Sequence, residues 1–127
     1  MNSHSFLIVD DEEMLRELMS EYLGEYLGET SENVFTAQSS NEALEIISQH
    51  HIDMMITDIM LANELGTDLY KKIHDLYPDI KVMFVTGYCN INLPQEFPDV
   101  PVLKKPFFGD DFIHAVEGIL SSSVSES

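Results

Sequence analysis

The sequence predicts an α/β domain, a parallel sheet with helices on both faces. Three observations lead there. Short apolar runs alternate with stretches of helical periodicity five times along the chain, which is the pattern of a doubly covered parallel sheet. The central run, Ile52-Asp53-Met54-Met55-Ile56-Thr57, is apolar almost throughout, as a strand buried on both faces must be. The runs end in carboxylates, a hydroxyl and a lysine, and ligands of an open parallel sheet bind at the carboxyl ends of its strands.

The elements follow in order. Phe6-Leu7-Ile8-Val9 is the first strand and ends in Asp10-Asp11. From Glu13 to about Leu27 the residues Met14, Leu15, Leu18, Met19, Tyr22 and Leu23 recur at helical spacing. Glu12 and Glu13 suit the positive end of that helix, and Asp10 and Asp11 have a structural reading as caps. Val34-Phe35-Thr36-Ala37 is the second strand, and Ser39-Ser40-Asn41 offers N-caps for a short helix carrying Ala43, Leu44, Ile46 and Ile47. His50 and His51 close that helix. The third strand, Ile52 to Thr57, delivers Asp58, and Ile59 to Leu65 reads as a loop before the turn residue Gly66. A third helix spans about Thr67 to Leu76, with Leu69, Tyr70, Ile73 and Leu76 inward, and Pro78 stops it.

Ile80 to Val85 is the fourth strand, followed by Thr86-Gly87-Tyr88. The stretch 90–99 contains Pro94 and Pro98 and no long apolar stripe. A proline inside a helix costs roughly 3 kcal/mol, so the fourth helix is expected to be short, distorted, disordered or missing. Pro101-Val102-Leu103 is a short fifth strand ending in Lys104-Lys105-Pro106, and Phe107 to Leu120 carries the last helix. The domain is thus read as residues 1–120, with 121–127 a disordered polar tail.

Composition narrows the function. One domain accounts for 127 residues. Acidic residues number 23 against 6 basic, for a net charge of −17, which argues against direct binding to nucleic acid or an anionic membrane. No apolar run approaches the ~20 residues of a membrane span, and no signal peptide is recognisable at the N-terminus. The single cysteine, Cys89, rules out an internal disulfide and fits a reducing compartment; cytoplasm is the expected location. His4, His74 and His114 show no metal-ligand spacing, and the seven methionines read mostly as core filler.

The strand ends carry the chemistry. Asp10 and Asp11 leave the first strand, Asp58 the third, Thr86 the fourth and Lys105 the fifth. Three carboxylates brought together raise one another's pKa unless a cation sits among them. A hard cation such as Mg²⁺ takes oxygen ligands and keeps several waters; Asp11, Asp58 and the Met60 carbonyl would supply three. Carboxylates form acyl phosphates, and transfer to Asp58 would need charge neutralised on the phosphoryl oxygens, by the metal, Lys105 and the Thr86 hydroxyl. Each residue has an ordinary structural reading; their convergence from four strands argues for a site.

In this order and spacing, Phe6-Leu7-Ile8-Val9-Asp10-Asp11, Asp58 with Gly66 eight residues on, Thr86-Gly87 and Lys105-Pro106-Phe107 resemble the receiver domain of bacterial two-component response regulators, from Phe6 to about Leu120. The resemblance implies a flavodoxin-like three-layer αβα sandwich with a five-stranded parallel sheet of order 2-1-3-4-5. It implies Asp58 as phosphoacceptor, Asp11 as metal ligand with Asp10 acting through water, Thr86 as switch hydroxyl, Lys105 as phosphate partner and a cis Lys105–Pro106 bond. The implied cofactor is Mg²⁺, and the phosphoryl donor a histidine kinase or histidine phosphotransfer protein. Three features depart from the family pattern: Ala62 stands where a proline is common, Val102 where a switch aromatic is common, and the Thr86–Lys105 connection is short and proline-containing. Met83-Phe84-Val85-Thr86-Gly87-Tyr88 is similar to a Phe-Ala-Thr-Gly-Tyr variant among single-domain regulators, which makes Tyr88 a candidate moving aromatic.

The expected function is a phosphorelay receiver that signals by protein contact or passes the phosphoryl group on. With the chain ending soon after its last helix, no output domain is expected, and Met1 with the serine tail favours a free-standing protein. A phosphatase of the haloacid dehalogenase class would need a second Asp where Met60 stands. A receiver-fold binding module independent of phosphorylation is the alternative; loss of Asp58 or Lys105 would be its signature.

Overall fold

The computed structural model describes residues 4–27, 33–61, 64–87 and 100–125. Strand β1 is Phe6–Val9, helix α1 Glu13–Leu27, β2 Val34–Ala37, α2 Ser40–Gln49 and β3 Met54–Asp58. Two short strands follow, β4 Met60–Leu61 and β5 Glu64–Leu65, then α3 Gly66–Leu76, β6 Lys81–Thr86, β7 Val102–Lys104 and α4 Gly109–Ser125. The five main strands form one parallel sheet in the order β2-β1-β3-β6-β7. Counted among the sheet strands alone this is 2-1-3-4-5, the flavodoxin-like order. The chain therefore steps outward on both sides of β1 and β3, and the crevice between their carboxyl ends is the topological switch point.

Alternation of side chains along each strand sorts the core into two layers. Phe6, Ile8, Met54, Ile56, Met83 and Val85 pack with Met19 and Leu23 of α1 and Phe112, Val116 and Ile119 of α4. On the other face Leu7, Val9, Met55, Val82 and Phe84 pack with Ala43 and Ile47 of α2 and Leu69 and Ile73 of α3. Because β1, β3 and β6 are covered on both sides, their apolar residues are buried without a polar alternation. Helix α2 opens on Ser39, whose hydroxyl accepts the Glu42 N–H at 3.2 Å, as an N-cap does.

Five local expectations change or fall outside the structure, the first being Leu76, which lies in the last turn of α3 exposed rather than inward. The Ile59–Leu65 stretch contains a short antiparallel ladder, Met60 opposite Leu65 and Leu61 opposite Glu64. Met14 and Leu18 of α1 face outward, Met14 being 84% exposed. They lie one residue ahead of the buried Met19–Leu23 stripe, about 100° around the helix, and the sheet covers only that stripe. The last helix runs to Ser125 rather than ending at Leu120; no Gly or Pro follows Leu120, and serine is tolerated in a helix at modest cost. The tail expected from 121 is therefore helical to 125, with 126–127 outside the described residues. The stretch expected to hold a short, distorted, disordered or missing fourth helix, 90–99, lies outside the described residues, and so do Tyr88 and Cys89 before it.

Candidate functional site

Strand register builds the site. Val9 pairs with Thr57, so the next residues, Asp10 and Asp58, leave adjacent strands side by side. Asp58 pairs with Val85 across β3 and β6, and Thr86 with Lys104 across β6 and β7. Thr86 is thus one step beyond the partner of Asp58, and Lys105 one step beyond the partner of Thr86. Backbone bonds carry the ladder past the strand ends: the Asp10 N–H donates to the Ala37 carbonyl at 3.1 Å, Ile59 N–H to Val85 carbonyl at 3.1 Å and Lys105 N–H to Thr86 carbonyl at 2.8 Å. Asp10, Asp58, Thr86 and Lys105 are thus each placed by a strand rather than by a free loop. The Lys105–Pro106 peptide bond is cis.

Asp58 is buried and held on both oxygens. The Lys105 ammonium donates to Oδ2 at 2.8 Å and the Met60 N–H to Oδ1 at 3.0 Å. Its carbonyl accepts the Thr57 hydroxyl at 3.0 Å. Gly66 passes so close to that carbonyl that a Cβ there would lie 2.0 Å from the Asp58 oxygen; no larger residue fits without moving the backbone. Thr86 is buried at the same edge.

Asp10 has no exposed surface. One oxygen, Oδ1, accepts the Glu12 N–H at 2.8 Å. The other, Oδ2, is buried and accepts no hydrogen bond from any described residue; the Lys105 Nζ stands 3.8 Å away. Burial, above all, pushes the Asp10 carboxyl up to about 6, with the Asp58 and Glu12 charges adding to the rise and the Glu12 N–H and Lys105 opposing it. For Lys105 burial works against the charge, but the hydrogen bond and charge of Asp58, with Asp10 and Glu12 behind them, outweigh it and raise the ammonium pKa above its ordinary value.

Asp10, Asp11 and Asp58 each offer a carboxylate oxygen, all within 4.8 Å of one another. Asp11 is exposed and opens the cluster to solvent. With Glu12 3.8 Å from the ammonium, three carboxylates, those of Asp10, Glu12 and Asp58, share the Lys105 charge. Arg16 is near but spends itself on the Asp10 backbone, its Nη1 donating to the carbonyl at 2.7 Å. Hard oxygen donors, excess negative charge and one orphaned buried oxygen fit a divalent cation of the Mg²⁺ type.

Two of these residues escape the sequence reading, which gives Glu12 a helix-dipole role alone and Arg16 none. Arg16 had a signal, being one of six basic residues in the chain and placed one turn into the helix that follows the acidic pair. Met60 contributes its backbone, its side chain being 41% exposed. Among the described histidines, His50 lies against Phe35, His74 stacks on Tyr70 and His51 pairs with Asp53 at 2.9 Å, all away from this edge.

The family model described as response regulator receiver domain matches residues 6–117. The chain belongs to this family. Among curated relatives, this receiver is 31% identical over 81 residues to the response regulator receiver protein CpdR of Brucella abortus, covering 61% of this chain and 68% of that one. It is 27% identical over 123 residues to sporulation initiation phosphotransferase F of Bacillus subtilis, covering 94% and 96%. Among solved structures, a CheY-like response regulator receiver domain protein from Methanospirillum hungatei superposes with a TM-score of 0.83 at 26% identity, covering 99% of this chain and 100% of that one. Response regulator protein TrrA of Thermotoga maritima, solved in complex with Mg(2+)-BeF, has a TM-score of 0.80 at 26% identity, covering 92% and 99%. The receiver is a phosphoacceptor module of two-component signal transduction. No helix among its described residues is long and apolar enough to cross a membrane.

Proposed function

We propose that Asp58 is the phosphoacceptor, that it takes its phosphoryl group from a phosphohistidine on a histidine kinase or a histidine phosphotransfer protein, and that the phosphorylated form signals by protein contact. The observation that carries this reading is the Lys105–Asp58 contact at 2.8 Å inside a cluster of three carboxylates at the sheet's carboxyl edge.

An Asp58 carboxylate oxygen attacks phosphorus in line. The P–N bond breaks as the P–O bond forms, and the electron pair returns to the imidazole, which takes a proton from water. Lys105 follows a phosphoryl oxygen, its ammonium already positioned, and the Thr86 hydroxyl and the N–H groups after Asp58 are further donors at the same edge. Asp11, Asp58 and the Met60 carbonyl would hold Mg²⁺, with Asp10 acting through water; the bound ion supplies positive charge to the phosphoryl oxygens. The Mg(2+)-BeF complex of the Thermotoga maritima relative supports that assignment, since beryllofluoride stands in for a phosphoryl group. Phosphorylation adds about −1.5 to −2 charge at Asp58. Lys105 then pairs with the phosphoryl group, and a shift between two populations changes the face that a partner meets. Thr86 is the switch hydroxyl in this reading, with Tyr88 the aromatic that follows it. The chain acts as a signalling module whose only chemistry is its own aspartyl phosphorylation and dephosphorylation, in the cytoplasm. The binding-module alternative finds no support, because Asp58 and Lys105 are both present and in contact.

The test is an NMR titration of wild type and Asp58→Asn with Mg²⁺ and then beryllofluoride, together with intact mass after incubation with acetyl phosphate and Mg²⁺. Wild type should respond to beryllofluoride only with Mg²⁺ present, with shifts at Thr86 and Lys105, and should gain one phosphoryl group; Asp58→Asn should do neither. A phosphoryl group gained equally by Asp58→Asn, or an Asp58 region blind to both additions, would sink the assignment.

A further inference from the structure

Helix α2 begins with its N–H groups held by two side chains of different origin. Ser39 serves Glu42 locally. Ser40, the first helical residue and buried, gives both its donors to Glu64, 24 residues further on: the N–H to Oε2 at 2.8 Å and the hydroxyl to Oε1. These two bonds hold the Glu64 carboxyl below its ordinary value, against the small opposing effect of burial. Glu64 does not belong to the acidic cluster.

Its position explains why the contact matters. Glu64 lies in β5 opposite Leu61, and its neighbour Leu65 lies opposite Met60. Met60 donates its N–H to Asp58, and the Gly66 N–H closes back on the Ile59 carbonyl at 2.7 Å. Leu61 is buried in the same apolar layer as Ala43 and Ile47 of α2. The ladder is therefore fastened to α2 by packing through Leu61 and by hydrogen bonds through Glu64. An antiparallel ladder of two residue pairs has little stability of its own, so these fastenings set where the Met60 peptide stands relative to Asp58.

We propose that Glu64 is a positioning residue for the phosphoacceptor, tying β4 and β5 to the start of α2 so that the Met60 peptide is presented to Asp58 and to the cation. This rests on the reading of Asp58 and its cation given above. Glu64 touches neither; it acts through Met60, as the outer partners of metal ligands do.

Mg²⁺ affinity measured by chemical-shift titration, alongside thermal unfolding, tests it. Glu64→Ala should bind Mg²⁺ about tenfold more weakly. Ser40→Ala should weaken binding in the same direction, and Ser40→Ala/Glu64→Ala no further than Glu64→Ala alone, because the two residues form one tie. Glu64→Gln, which keeps an acceptor for Ser40, should recover part of the loss. Ser39→Ala removes the local cap of the same helix; it should lower the melting temperature and leave Mg²⁺ affinity at the wild-type value. Unchanged Mg²⁺ affinity in folded Glu64→Ala overturns the proposal. So does an equal loss in Ser39→Ala, which would reduce Glu64 to a helix cap. If Glu64→Ala does not fold, Ser40→Ala decides, and unchanged affinity there overturns the proposal. A wild type with no Mg²⁺ response around Asp58 overturns both this inference and the phosphoacceptor reading, whereas a responsive wild type matched by Glu64→Ala overturns this one alone.

Discussion

Asp10 carries the electrostatic strain of the site. Its carboxyl is raised from 3.8 to about 6 by burial first and by neighbouring carboxylates second. A folded-state pKa above the unfolded one means that the folded protein binds this proton more tightly. The stabilising contribution is complete below about pH 4 and is lost as pH rises through about 6. Two pKa units correspond to about 3 kcal/mol. Asp10→Asn keeps an oxygen for the Glu12 N–H and removes the buried charge. Without metal it should match wild type near pH 4 and be more stable by roughly that amount at pH 7.5, as read by denaturant titration at each pH. A stability difference that does not change with pH would show that Asp10 is not the titrating group. Gly66 makes the opposite demand, since it leaves no room at all. A Cβ 2.0 Å from the Asp58 carbonyl forces a backbone shift, and overpacking of this kind costs about 1–3 kcal/mol. Gly66→Ala should lose that much stability in urea and blunt the Mg²⁺ response of Asp58; full retention of both would mean that the close approach relaxes freely.

At the level of elements, the site depends on how firmly helices clamp the sheet that aligns it. Phe112 of α4 shows this most clearly. It is fully buried, stacked on Phe107 with centroids 5.6 Å apart and tilted against Tyr22 at 5.8 Å. It therefore joins α1, α4 and the segment that follows Lys105. Phe112→Ala should cost about 3–5 kcal/mol, measured as a lower urea midpoint, and a loss under 1 kcal/mol would place α4 outside the cooperative core. The elements themselves were readable because each obeys a local rule. Buried strands are apolar runs, α2 has a serine cap, and Pro78 follows α3. The β4–β5 ladder was not readable, because two-residue strands carry no periodicity. Met14 and Leu18 face outward against their helical spacing for a related reason. Periodicity reports an apolar stripe, but the width of that stripe covered by the sheet is set by packing.

The molecule as a whole carries a net charge of −17, and such an excess repels itself in the compact state. Added NaCl should raise the melting temperature of the metal-free protein by screening. Mg²⁺ at equal ionic strength should raise it further, because binding at one hundred times Kd adds about 2.7 kcal/mol of stability, and Asp11→Asn should lose the additional rise alone. If NaCl and Mg²⁺ act identically at matched ionic strength, the cation is only part of the ion atmosphere.

By itself the sequence determined the fold class, the strand order through its family resemblance, and the residues that stand at the strand ends. Those facts lie in runs, caps and motifs only a few residues long. Tertiary structure alone decided which of two adjacent aspartates is buried, that Arg16 serves a carbonyl, and that Glu64 reaches Ser40. The physical reason is range. Asp58 and Lys105 are 47 residues apart and Ser40 and Glu64 24, and what brings such pairs to 2.8 Å is the register of a parallel ladder and the packing of helices on it. No short stretch of sequence contains either.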